Sequence, residues 1–165
     1  DLNSLRNLRF TFGSENSTSG RLMPEYFLNI AGVKTSEFKG KKPGFSGSHD
    51  ATIALVNSGA FEAGALNKQI WEKNLKNNPK RTKNVDVFFV TPSYVDYHWL
   101  SQGDLDEKFY SGFTKKLKKA ILNLNENNPN HKIILEMFNA KKFINSDAKQ
   151  YKNIEEIGRK LKKIR

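Results

Sequence analysis

The sequence predicts an α/β fold with parallel strands, and two observations predict it. Short apolar runs recur along the chain, each entering a polar loop rich in glycine or serine and then a segment with helical spacing. Hydrophobic residues make up 37% and aromatics 12% of 165 positions, enough for the core of one α/β domain or one lobe of a larger protein. No internal repeat or low-complexity segment interrupts the pattern.

The elements follow in order. Arg9-Phe-Thr-Phe12 reads as a strand ending at Gly13, followed by a polar loop over 14–19. Residues 20–31 have helical spacing, with Leu22, Tyr26 and Ile30 on one face and Gly32 as a C-terminal stop. Pro24 cannot donate to the carbonyl four residues back, so a kink or a separate first turn is expected there. After Phe45-Ser-Gly-Ser48 a helix begins near His49. Ala51, Ile53, Ala54, Leu55 and Val56 leave it almost no polar face, which predicts burial. Residues 61–66 read as a strand weakened by Gly64, and 67–76 as a helix carrying Ile70, Trp71 and Leu75. Residues 77–84 are a polar linker. Residues 85–90 have the strongest strand composition in the chain, closed by Thr91-Pro92, and 94–100 are extended and aromatic. An amphipathic helix is expected over 106–124, with Phe109, Phe113, Leu117, Ile121 and Leu124 as its apolar stripe. Helices over 131–138 and 153–164 complete the chain.

Composition narrows the function. There is no cysteine, which excludes disulfides and thiolate metal sites. No apolar run approaches 18 residues, and no signal peptide opens the chain, as expected of a processed or truncated product. The formal charge of +11 favours anionic partners, but it comes from 22 lysines against 6 arginines, and lysine is mostly solvated surface. A nucleic-acid module would need clustered arginine and exposed stacking aromatics; here arginine is sparse and the aromatics fall on expected core stripes. A serine hydrolase would need a base beside Ser46 or Ser48, and only His49 is near. Gly44-Phe-Ser-Gly-Ser48 departs from the nucleophile elbow at its fifth position. Phosphate-loop, dinucleotide and zinc-protease motifs are absent, and His49, His98 and His131 lack metal-ligand spacing. Neither enzymatic activity, a metal nor a cofactor is expected.

Three segments carry chemistry. In Phe10-Thr-Phe-Gly-Ser-Glu-Asn-Ser-Thr-Ser-Gly20, a strand enters a loop with three consecutive hydroxyl residues and then a helix. Free N–H groups, the positive end of the helix dipole and the hydroxyls of Ser17, Thr18 and Ser19 make an uncharged cradle for a tetrahedral oxyanion. Ordinary capping needs only one such residue. The junction Phe45-Ser-Gly-Ser-His-Asp50 has similar character, with His49 able to donate from the first helical turn. Alone, it reads better as Ser48 capping a helix, with His49 exposed and Asp50 favourable to the dipole. Two such junctions in one sheet point to the carboxyl ends of the strands, where α/β sheets bind ligands. The third segment, Thr91-Pro-Ser-Tyr-Val-Asp-Tyr-His-Trp99, sets Asp96 among aromatics, with a solvated edge strand as the simpler alternative.

Together with Glu62-Ala-Gly-Ala-Leu66 leading into Trp71, Asp96 before Trp99, and the 143–161 ending, these segments resemble the phosphonate/phosphite-binding family of ABC-transporter periplasmic proteins. The similarity covers nearly the whole chain. It implies a two-lobed, type II periplasmic-binding-protein fold that captures a phosphorus oxyanion outside the cytoplasmic membrane, either lipid-anchored or soluble there, and delivers it to a membrane permease. By resemblance, Ser17, Thr18 and Ser19 hold anion oxygens, His49 donates another hydrogen bond, and Asp96 lies at the ligand. Asn16, Ser48, Gln69 and Tyr94 are further candidate contacts. Gln69 falls near where aminophosphonate binders place a glutamate, which favours a smaller ligand. The resemblance implies an anion-binding lobe over 1–92 and, over 93–165, a return to a helical part of the other lobe. The first part of the N-terminal lobe, with its ligand tyrosines, is expected to be absent, and that part or a second copy is expected to cover residues 100–165.

Overall fold

A computed structural model describes residues 1–95 and 97–165. The chain divides into two compact units, residues 1–96 with 151–165, and residues 97–150.

The first unit is built on three short parallel strands: β1 (Phe10–Phe12), β2 (Gly44–Phe45) and β3 (Ala63–Gly64), in the order β2-β1-β3. Thr11 lies between Gly44 and Gly64, and Phe12 beside Phe45. All of β1 is buried, as a central strand covered on both faces must be. Side chains alternate across the sheet, so Phe10 and Phe12 share a face. They pack with Leu5, Leu28, Val33, Phe38 and Ala63, Phe10 stacking on Phe38 at 4.8 Å and meeting Phe12 edge-on at 5.0 Å. Thr11 takes the other face. There Gly64 admits α2 (His49–Asn57): a Cβ on Gly64 would lie 2.7 Å from the Thr52 methyl and 3.0 Å from that of Thr11. The glycine expected to weaken β3 is what lets a helix sit close on it.

The other helices of this part of the unit are α1 (Met23–Ile30), α3 (Lys68–Asn77) and α4 (Pro79–Thr82). The expected break at Pro24 is present. A π-helical turn, Thr18–Leu22, precedes α1, and the proline falls in the first turn of the α-helix, where its missing N–H costs nothing. The expected face of α1 is not the buried one. Met23 and Leu28 are buried, while Leu22 and Tyr26 are half-buried and Ile30 exposed, because the π-turn rotates the stripe that an uninterrupted helix would present. α2 is likewise less enclosed than its composition predicts. Thr52 and Ile53 are buried, and Ala54 is exposed.

Residues 85–90 depart furthest from expectation. Among the described residues no strand pairs with them, and Val87, Phe88, Phe89 and Val90 are exposed. Strand composition is realised only where a neighbour completes the ladder.

The second unit holds α5 (Leu105–Lys108), α6 (Phe113–Leu122) and α7 (Pro129–Met137). The expected single helix over 106–124 is two. Asp106 turns back to accept from the Gly112 N–H at 2.8 Å and the Thr114 N–H at 2.7 Å, capping α6, and Gly112 takes φ +82° at the break. The expected stripe is only partly covered: Phe113, Ile121 and Leu124 are half-buried, Phe109 and Leu117 exposed. Tyr97 and Trp99 are exposed too, so the aromatics do not all lie on core stripes. Residues 151–165, grouped in the sequence reading with 93–150, lie instead in the first unit. Their helix α8 (Lys152–Lys160) is one side of a contact with α1, and Lys163 Nζ pairs with Glu25 at 3.1 Å. No helix among the described residues is long and apolar enough to cross a membrane.

Candidate functional site

The carboxyl ends of β1, β2 and β3 open side by side into the loops that start the π-turn, α2 and α3. β1 is central, and the chain passes from β2 on one side of it to β3 on the other. This is the reversal point where open α/β sheets form a crevice.

The loops are tied together by backbone. Beyond the strands the ladder continues, with the Ser46 N–H donating to Phe12 O at 3.0 Å and the Ala65 N–H to Thr11 O at 3.0 Å. Gly47 N–H reaches Gly13 O at 3.3 Å, and Gly13 N–H reaches Gly20 O at 2.9 Å. Gly13 and Gly20 pass each other closely; a Cβ on Gly20 would fall 2.9 Å from Ser17 Oγ and 3.2 Å from Gly13 Cα. The strand end and the π-turn are thereby pinned against each other, with the hydroxyl residues at the turn's start.

The three hydroxyl residues differ in duty. Ser17 is the cap: its Oγ accepts from the Gly20 N–H at 2.8 Å. Thr18 is half-buried at the first position of the turn, and Ser19 is buried. Ser48 caps α2, its Oγ accepting from the Ala51 N–H at 3.1 Å, and Asp50 sits in the first turn of that helix. Ser46 Oγ donates to Ser48 O at 2.9 Å and lies 2.7 Å from Thr52 Oγ1, so it holds the loop. His49, half-buried, has its Nδ1 3.7 Å from where a Cβ of Gly13 would stand. That ring nitrogen accepts from the Asn67 N–H at 3.3 Å.

Ser17, Thr18, Ser19 and His49 therefore gather around the Gly13–Gly20 crossing. Ser48 is exposed as a cap; Gln69 is exposed in the first turn of α3, and Asn16 is exposed on the loop before the π-turn. Tyr94 is half-buried in the extended segment. Asp96 lies outside the described residues. Among the described residues no group of three His, Asp or Glu side chains converges as a metal site.

Two residues belong to this arrangement that the sequence reading did not assign to it. Asn67 is buried at the third junction, where its Nδ2 donates to Ser19 Oγ at 3.4 Å. Its signal was its place immediately before α3, the position of a cap rather than of a helical residue. Arg21 clamps the loop from behind. It donates to Glu15 O at 3.2 Å, pairs with Glu25 at 3.3 Å, and stacks over the Phe45 ring at 4.7 Å. Nothing in the local sequence announced that contact with β2.

Such a cluster presents N–H and O–H donors at the starts of helices along the carboxyl edge of the sheet. Chemically it suits an anion with several oxygens.

Comparison with known proteins follows the same line. Residues 1–151 match the family model for the ABC transporter, phosphonate, periplasmic substrate-binding protein. A curated relative from Prochlorococcus marinus (strain MIT 9301), a probable ABC transporter phosphite binding protein, PhnD1, is 74% identical over 99% of this chain and 55% of its own length. The solved structure of PhnD1 from that organism, in complex with methylphosphonate, superposes with a TM-score of 0.96, covering 99% of this chain and 60% of that one. A binding protein component of an ABC phosphonate transporter from Pseudomonas aeruginosa, 23% identical, shares the fold at a TM-score of 0.73 over 94% of this chain and 50% of its own. The chain thus spans about half the length of the relatives it matches.

Proposed function

This chain belongs to the periplasmic substrate-binding proteins of ABC phosphonate transporters, and from that premise we propose that it supplies the anion-binding part of an importer's capture protein for a phosphorus oxyanion. The ligand class is phosphonate, phosphite or phosphate. The work is binding, not catalysis, and it takes place outside the cytoplasm, with a membrane permease as the receiving partner. Residues 1–92 act as the anion-binding lobe, with 151–165 in the same unit, and the helical residues within 97–150 belong to the return toward the other lobe.

The observation that carries this reading is the meeting of three strand-to-helix junctions at the carboxyl edge of the sheet, with Ser17, Thr18, Ser19 and His49 around the Gly13–Gly20 crossing. Backbone N–H groups and hydroxyls there bind anion oxygens without adding charge. Their donors act together with the helix dipoles, which favour a negative group at the same place. Gln69 has no charge to offer an ammonium group, which favours a small ligand over an aminoalkylphosphonate.

Asp96 completes the selectivity. Set at the ligand, as the resemblance implies, a carboxylate repels a fully ionised ligand but accepts from a P–O–H group, so it favours protonated phosphorus oxyanions over sulfate, which has no proton to give near neutral pH. A buried acceptor left unpaired can cost up to about 10⁴-fold in discrimination. Calorimetry on the full-length protein with phosphite, methylphosphonate, phosphate and sulfate tests both points. Binding of a phosphorus oxyanion with sulfate rejected, and loss of that rejection in Asp96→Asn, is the expected result. Sulfate bound as tightly as methylphosphonate removes the role given to Asp96, and binding of none of the phosphorus oxyanions removes the reading.

A further inference from the structure

The unprotonated oxygens of an oxyanion need donors, yet two of the groups gathered here are ambivalent. A serine hydroxyl donates or accepts, and a neutral imidazole does one at each nitrogen. Which they do is decided by whatever else they touch. Both touch Asn67.

The amide of Asn67 has a settled orientation. Its Oδ1 accepts from the backbone N–H of Gln69 at 2.8 Å and of Ile70 at 3.4 Å, capping α3. Those two donors require an oxygen, so the opposite end of the amide is the NH₂ group, and this is what faces Ser19 Oγ at 3.4 Å. Asn67 is 7% exposed and Ser19 7%, so bulk water does not substitute for either. Ser19 Oγ is therefore held as an acceptor on its Asn67 side, and its own proton is turned away from Asn67. The backbone N–H of the same residue donates to His49 Nδ1 at 3.3 Å. An imidazole that accepts at Nδ1 carries its proton, when neutral, at Nε2.

We infer that Asn67 is a positioning residue that sets Ser19 and His49 as donors toward the ligand, its side chain acting on the hydroxyl and its main chain on the imidazole. This deepens the proposed function and rests on its assignment of Ser19 to the ligand. It gives one residue three duties: capping α3, orienting Ser19 and fixing the His49 tautomer. The anion meets proton-bearing faces because the third junction supplies donors to the first two.

The test is a double-mutant cycle in the full-length protein, read as methylphosphonate affinity by calorimetry and as melting temperature. Asn67→Asp retains the cap, since Asp and Asn cap equally well. It places an acceptor against Ser19, whose hydroxyl then donates to the introduced carboxylate instead of the ligand. Ser19→Ala alone should weaken binding about 10-fold, the worth of one hydrogen bond to a charged group. Asn67→Asp should weaken it about 100-fold in the natural chain, combining the lost donor with added negative charge, but only about 10-fold when Ser19→Ala is also present. Melting temperatures should stay close to that of the natural chain. Asn67→Ser, which caps without adding charge or an NH₂ group, should cost a few-fold in the natural chain and nothing beside Ser19→Ala. It serves as the cycle if Asn67→Asp does not fold. Equal costs in both backgrounds, with Ser19→Ala itself weakening binding, would overturn the inference and leave the site reading intact. No effect of Ser19→Ala would remove Ser19 from the ligand and the inference with it.

Discussion

Residues 10–12 and 87–90 have nearly the same chemistry, Phe-Thr-Phe against Val-Phe-Phe-Val, and opposite fates. Phe12 is 0% exposed on a central strand with a parallel neighbour on each side, whereas Phe88 is 54% exposed with no strand beside it among the described residues. Composition equips a segment to be a strand, but the ladder and the two covering layers make it one. The same contrast separates the first unit's sheet edge, where glycines, caps and backbone bonds interlock, from the second unit's short helices.

The comparison can be broken most directly by truncation. Phe12→Ala removes a ring packed against Phe10 and Phe45 and should cost about 3–5 kcal/mol in urea unfolding. Phe88→Ala should cost under about 1 kcal/mol. Equal costs would mean that 85–90 is structurally as engaged as β1. Overpacking probes the sheet from the other side. Gly64→Val forces atoms into the space shared by the Thr52 and Thr11 methyls and should destabilise by about 1–3 kcal/mol. A neutral result would show that α2 yields there.

Much of this unit was legible in advance, for physical reasons that differ by element. β1 was readable because a fully buried strand is apolar almost throughout. The turn before α1 was readable because Pro24 has no N–H to give. The two hydroxyl-rich junctions were readable because donors at helix starts are local in sequence. What escaped was tertiary. The rotation of α1 by a π-turn, the Arg21–Phe45 stacking and the role of Asn67 depend on residues up to 48 positions apart meeting at the sheet edge. The break in 106–124 escaped because Asp106, which looks like an ordinary first-turn acid, caps the next helix instead.

That break offers a smaller test. Asp106→Ala should destabilise the second unit slightly and loosen α6, seen as lost helical signal and faster amide exchange at Gly112 and Thr114. The Thr114 hydroxyl and the two N–H bonds hold the Asp106 carboxyl below its usual range, so this contribution is present near neutral pH and declines in acid.

The smallest effect lies at the opposite ends of the strands. Glu62, just before β3, accepts from both the guanidinium and the main-chain N–H of Arg9, just before β1. The Arg9 side chain, then its backbone N–H, pull the Glu62 carboxyl down to about 2. A carboxylate with a depressed pKa stabilises above its ordinary pKa and loses that stabilisation as pH falls toward the depressed value. The pair should therefore act fully above about pH 5 and fade between there and about pH 2, as a slight acid sensitivity abolished in Glu62→Gln. Exposure to solvent keeps the effect small. A Glu62→Gln protein with the same acid profile as the natural chain would leave the register to backbone bonds alone.

The central claim is that neutral donors at the strand-to-helix junctions hold an oxyanion. Thr18→Val keeps the shape of the side chain and removes one hydroxyl, so affinity of the full-length protein for methylphosphonate, measured beside its melting curve, tests it directly. The account predicts a loss of about 10- to 100-fold, corresponding to about 1.5–3 kcal/mol for a hydrogen bond to a charged group, with little change in melting. An unchanged affinity in a folded Thr18→Val protein would contradict it.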